Sequence, residues 1–231
     1  MNELLFLAFV LGDMTACLLM LRHFGKWGLI TFYILHVIFV QLTILLQTDI
    51  FGITVAVGSM LFAVLFLCTD LISEHYGKKD GYTAVTLGAI SLLLFLAVIQ
   101  TSIQFVPSTT SSATATFISL FDGQLRVTLA DLIISYCLFQ FFDVWIFHKI
   151  REWTNGTKLW LRNILSTWVS QTFIAILFFQ AAFAGTLEQS VLWQLILGGL
   201  AMKLLVALLD TPFMYISKKF LPKDYKSNLN H

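Results

Sequence analysis

The side chains that invite chemistry are ionisable and amide groups lying where the chain is otherwise apolar. Asp13, Asp70, Glu74, Asp131, Asp143 and Asp210 stand at or within long hydrophobic runs, and Lys203 lies about halfway along another. Helical spacing groups several of them. Asp70 and Glu74 fall at i, i+4, Gln140 and Asp143 at i, i+3, and Asn163, Ser166 and Ser170 make an i, i+3, i+7 stripe with Gln171 beside it. Lys203 and Asp210, at i, i+7, line one side of their helix. Carboxylates accept hydrogen bonds, amides donate and accept, and an ammonium only donates. Such a set suits recognition of a polar small molecule. The chain contains no HExxH, no Cys–His arrangement at useful spacing and no GxxxxGK[ST] loop. The reading is therefore a non-enzyme that needs neither metal nor cofactor.

Each group has a plainer alternative. Asp70 and Glu74 would cap a helix end and pair with Lys78 and Lys79. The Asn163, Ser166 and Ser170 stripe would be interhelical hydrogen-bond glue, and Asp210 would be half solvated at the membrane boundary. Asp13 is expected to be structural or peripheral, and His36 a packed, hydrogen-bonded histidine. Lys203 is the hardest to dismiss, being too far from either end of its run to snorkel.

The elements that must carry these residues follow from composition. Of 231 residues, 58% are hydrophobic and 12% charged, with 22 Phe against 3 Pro and a net charge of +1; mean hydropathy is +0.84. A soluble domain carries about 25% charged residues. These figures exclude a soluble enzyme, a disordered chain, a nucleic-acid binder with a basic face and a disulfide-rich secreted scaffold. The partner is a lipid bilayer, with no direct nucleic-acid contact. Cys17, Cys68 and Cys137 lie in or beside apolar runs without CxxC or histidine spacing, and are expected as buried small hydrophobes. The run from Leu4 to Leu21 lacks a basic leader and a small-residue cleavage site, so it reads as a retained helix.

About 20 apolar residues cross a bilayer core. That ruler gives spans near 3–22, 27–47, 51–71, 82–105, 124–147, 160–184 and 190–216, the third diluted by Gly52 and Gly58, so that six remain an alternative. Of 14 Lys and Arg residues, all but Arg126 and Lys203 fall in alternate loops or the tail, while loops 48–50, 106–123 and 185–189 hold none. The positive-inside rule then sets the N-terminus outside and the C-terminus inside. The fold expected is an all-α polytopic bundle of about seven spans: an additional N-terminal transmembrane helix over 1–25, a core over 26–220 and a cytoplasmic tail over 221–231. Pro107 is expected to end the fourth span, and the Ser/Thr-rich stretch from Ser108 to Thr114 to be a surface loop or a gate. Gly198-Gly199 offers a close-packing spot, within the chain or in a homodimer.

The segment Phe66-Leu67-Cys68-Thr69-Asp70-Leu71-Ile72-Ser73-Glu74-His75-Tyr76-Gly77-Lys78-Lys79 resembles the F-L-x-T-D-x-x-x-E-x-Y-G-K-K signature of the queuosine-precursor transporter family. So do Gln140 through Asp143-Val144-Trp145-Ile146-Phe147, Leu159 to Asn163, Ser166-Thr167, Ser170-Gln171, Lys203 and Ala207-Leu208-Leu209-Asp210-Thr211-Pro212. The likeness covers about residues 29–220. It implies a six-helix core in the bacterial inner membrane that imports 7-cyano-7-deazaguanine, 7-aminomethyl-7-deazaguanine or queuine for tRNA modification. On that basis Asp70, Glu74, Asp143 and Asp210 are candidate acceptors or charge partners for the 7-deazapurine, and Gln140, Asn163, Ser166, Gln171 and Lys203 candidate polar contacts. Arg126 and Arg162 are candidate charge partners. The chain departs from the family pattern at Ile174, where an Asp is common, at Ala63-Val64, where a Pro is common, and at Gln41 and Gln47, in place of an Asn and a Lys. The alternative function is a membrane-embedded substrate-binding subunit of an ATP-driven vitamin-type importer, which would need an ATPase partner chain. Proton-coupled and facilitated transport both fit the sequence.

Overall fold

A computed structural model describes residues 1–106, 112–223 and 225. At hydrocarbon depth every backbone N–H and C=O must be satisfied within the protein, so long apolar runs become helices. In chain order the elements are α1 (Asn2–Thr43), β1 (Gln47–Ile50), β2 (Ile53–Ala56), α2 (Val57–His75), α3 (Lys78–Ser102), α4 (Ser112–Phe121), α5 (Gln124–Ala130), a π-helical segment (Asp131–Gln140), α6 (Phe141–Trp153), α7 (Leu159–Phe183), α8 (Gln189–Ile216) and a 3-10 turn (Ser217–Phe220). α5, the π segment and α6 follow without interruption and form one rod.

At 1.5 Å per residue the 42 residues of α1 would reach about 63 Å, roughly twice a bilayer core. They do not form one rod. Gly25 leaves the helix at φ 59°, ψ −137°, a conformation open to glycine and hostile to side chains. The arms 2–24 and 26–43 then lie antiparallel, joined where His36 Nε2 meets Asp13 Oδ1 at 2.8 Å and closed where Asn2 donates to the Asp49 carbonyl at 2.9 Å. Asp13 is therefore paired rather than isolated. Six helical segments are long and apolar enough to span a membrane; the first counts twice, which gives seven crossings in an all-α polytopic bundle. The first arm contributes Phe6, Val10, Met14, Cys17, Leu18 and Leu21 to the common core.

The structure corrects several boundaries. The third crossing starts at Val57, not at 51, because residues 47–56 pair as an antiparallel hairpin with Gln47 opposite Ala56. Residues 112–121, expected in a loop, are helical. Pro107 and Ser108 to Ser111 lie outside the described residues. Cys137 is exposed on the outside of the rod, unlike buried Cys17 and Cys68. Gly198 packs within the chain: a Cβ there would lie 2.5 Å from Ile53 Cγ2 and 2.7 Å from the Thr54 carbonyl oxygen.

α2 is the innermost helix, buried at every position from Gly58 to His75. Around it stand α1, α8, α3 and α6. The cationic residues gather at one end of the bundle. There Lys26 pairs with Asp80 at 3.0 Å, Arg22 lies over Phe220, and Arg162 reaches Glu74. The segment after α8 folds beneath the same end. Ser217 bonds His75 Nε2 at 2.7 Å, Pro222 touches the Gly25 turn, and Tyr225 donates to the His75 carbonyl at 2.5 Å. The opposite end holds the β-hairpin and Arg126, which donates to the Ala181 and Ala184 carbonyls at 2.8 Å each.

Candidate functional site

Asp70 sits on the central helix with no measurable exposure, and neither carboxylate oxygen has a hydrogen-bond partner. Four ionisable groups surround it electrostatically: Asp143 from α6, Asp210 from α8, Arg162 from α7 and Glu74 one turn along α2. α6 and α8 pack on α2, and α7 packs on both of them. Each of these acids is steadied differently. Glu74 accepts from Arg162 Nη2 at 2.6 Å, and Nη1 of the same guanidinium reaches the Gly156 carbonyl at 3.2 Å. Asp210 accepts from Asn163 Nδ2 at 2.6 Å. Asp143 accepts from Ser170 Oγ at 3.1 Å, and Ser166 stands beside the same carboxylate. The plainer reading of Asp70 and Glu74 as partners of Lys78 and Lys79 fails, since Glu74 pairs with Arg162 and Asp70 pairs with nothing. Asp210, fully buried, is not half solvated.

Two further amides are buried on the rod and on α7. Gln140 and Gln171 are fully buried, and both polar atoms of each side chain lack a partner. An unsatisfied buried polar group costs about 1–3 kcal/mol, more when charged. Gln140 precedes Asp143 by three residues on the rod and Gln171 follows Ser170 on α7. Charge contacts and hydrogen bonds draw Asp70, Glu74, Asp143, Asn163, Ser166 and Asp210 together with Arg162. Arg126 is not among them, being spent on the carbonyls at the far end of α7.

Lys203 also stands apart. Seven residues along α8 carry it about 10 Å from the level of Asp210. There its ammonium lies 4.5 Å above the Phe62 ring. It shares a small cavity with Asp131, Ser59, Ser135, Ile174 and Phe178. Ile174, the position at which the chain departs from the family pattern, therefore lines this upper level. Gln41 donates to Asp131, and in turn accepts from Thr128 at 3.1 Å while its carbonyl accepts from Gln124 at 2.9 Å. Aromatic rings join this level: Phe62 meets Tyr136 at 6.1 Å, and Tyr136 meets Tyr33 edge to face at 6.5 Å. Tyr33 is close enough to feel both Asp131 and Asp143.

Sequence spacing missed this upper level because of the π segment. Asp131 and Gln140 are nine residues apart, roughly two and a half turns of an α-helix and hence on opposite faces. The wider i to i+5 winding takes more residues per turn, and brings Asp131, Ser135 and Gln140 onto one buried side. Ile133 and Leu138 face outward instead. Asp131 was visible as an acid in an apolar run; only its orientation was hidden.

The chain is 29% identical over 228 residues to the "Probable queuosine precursor transporter" of Bacillus subtilis (strain 168), covering 98% of this chain and 99% of that protein. No solved structure matches. A family described as "Putative vitamin uptake transporter" matches residues 56–217, from the last residue of β2 to the turn after α8 and so across the whole acidic layer. The chain belongs to that family, and it is a multi-pass membrane transporter.

Proposed function

We propose that the protein imports a 7-deazaguanine precursor of queuosine across the bacterial inner membrane, with the end that gathers Lys and Arg facing the cytoplasm. The observation that carries this reading is Asp70, a buried carboxylate with both oxygens free, in a bundle that also buries the unpartnered amides of Gln140, next to Asp143 on the rod, and Gln171, next to Ser170 on α7. A guanine-type ring presents N1–H and its 2-amino group as adjacent donors, which one carboxylate accepts together. Its O6 and pyrrole edges need a donor and an acceptor, and a primary amide supplies both. Tyr33, Tyr136 and Phe62 supply flat faces, and stacking of a base on an aromatic ring contributes about 1–3 kcal/mol in other proteins. The printed name of the B. subtilis relative supports the same substrate class. Candidates are 7-cyano-7-deazaguanine, 7-aminomethyl-7-deazaguanine and queuine.

The test is uptake of radiolabelled 7-cyano-7-deazaguanine by the purified chain in liposomes without ATP, with the other two precursors and guanine as competitors. Saturable uptake is expected. Asp70→Asn keeps the shape of the side chain but loses one acceptor and the charge. Its uptake should fall about 10- to 100-fold, as loss of a charge-assisted hydrogen bond implies. Wild-type rates in Asp70→Asn, or no saturable uptake of any of the three precursors, would overturn the reading.

A further inference from the structure

The acidic layer leaves one buried ion unused. Lys203 is 3% exposed in the middle of α8, and Asp131 is 3% exposed on the rod opposite. They do not touch: no N···O approach within 4.0 Å joins them. The cavity they line measures about 10 Å³, roughly the room of one water molecule. Ser59 and Ser135 also line it. A charge at hydrocarbon depth costs several kcal/mol and persists where it pairs or faces a wet pocket. The two ionisable side chains thus line one cavity with room for about one water.

That spacing suits proton transfer. A water admitted to this cavity would take a proton from Lys203 Nζ as it gave its own to Asp131 Oδ. One N–H and one water O–H break, one water O–H and one carboxyl O–H form, and a neutral amine faces a neutral acid. The pair holds the same single proton before and after. A second proton from the acidic side of the membrane then has a place on the amine, and its later loss to the other side restores the starting state. The remaining titratable groups near Asp131 are Tyr33 of α1 and Tyr136 of the π segment. The groups that α2, α5 and α7 bring to this level are uncharged: Phe62 and Ser59, Gln124 and Thr128, Ile174 and Phe178. α3 carries no charge beyond Asp80.

The link to the substrate layer is mechanical. Asp131 and Gln140 bound the same π segment. Tightening that segment to α-helix would turn one against the other by about half a turn, since nine residues make two and a half α-helical turns. We infer that the Asp131–Lys203 pair is a proton-coupling site, separate from the substrate layer, which makes this transporter a proton symporter.

The test uses proteoliposomes with membrane potential clamped at zero by valinomycin and equal potassium. Acid outside should drive accumulation of 7-cyano-7-deazaguanine by about tenfold per pH unit, the ratio one coupled proton sustains. Asp131→Asn should exchange labelled for unlabelled substrate yet accumulate none, and Asp131→Glu should restore accumulation. No accumulation by a wild type that does exchange the labelled substrate, or wild-type accumulation by Asp131→Asn, overturns the proposal. This arm rests on the substrate reading. A second arm does not: an infrared titration of the reconstituted protein should show a carboxylic-acid C=O band that grows on acidification and disappears in Asp131→Asn. A wild type that exchanges no deazaguanine but shows this band refutes the substrate reading alone. An identical titration in the variant refutes the coupling site.

Discussion

Arg162 is the largest fully buried side chain in the protein, and it holds Glu74 at 2.6 Å. Breaking a buried ion pair from one side leaves an uncompensated charge and costs about 3–5 kcal/mol, whereas removing both charges is far milder. Arg162→Gln should therefore lower the unfolding temperature in detergent sharply, and Glu74→Gln on that background should recover most of the loss. A double variant no better than Arg162→Gln would mean that the guanidinium acts mainly on Asp70. The two acids of α2 and the Asn/Ser stripe of α7 were legible from spacing because they lie on regular helices. Asp13 and His36 were not. Their contact depends on a turn at Gly25, and nothing in the local pattern announces which of two arms faces the other.

At the scale of elements, α8 is fixed by a close approach. Gly198 meets the hairpin so tightly that any side chain would press on the Thr54 carbonyl oxygen. Gly198→Leu should lower stability by about 1–3 kcal/mol, the usual cost of overpacking, seen as earlier thermal aggregation with no change in oligomeric state on sizing. A shift in oligomeric state would instead place a subunit interface at this glycine. Crossing helices were legible because their apolar runs match the thickness of a bilayer. The hairpin was not: Phe51-Gly52-Ile53 and its flanks are apolar enough to extend the following helix on paper. Positive φ at Phe51 and Gly52 makes the turn, and pairing across it removes those residues from α2.

Considered whole, the molecule is closed. The cavity beside Asp131 has room for about one water, while the acidic layer is packed tightly enough to bury every carboxylate in it. Anything larger than a water molecule reaches these buried groups only if helices part, and the rod with the π segment borders both levels. The general plan of the bundle was readable from charge alternation along the chain, because cationic residues avoid one membrane face. The division of its interior into two polar levels was not, since it depends on the winding of ten residues.

The segment after α8 closes on the earliest part of the chain, with Pro222 against the Gly25 turn and Tyr225 against the end of α2. These are contacts of very long sequence separation, the kind formed last in folding. During synthesis these last contacts form only after α8 has emerged, although the first helical pair is already joined through Asp13 and His36. A truncation after Ile216 should accordingly integrate into membranes at the normal rate, yet lose protease resistance in a pulse–chase experiment. Equal resistance with and without the final residues would show that the early pair matures without them.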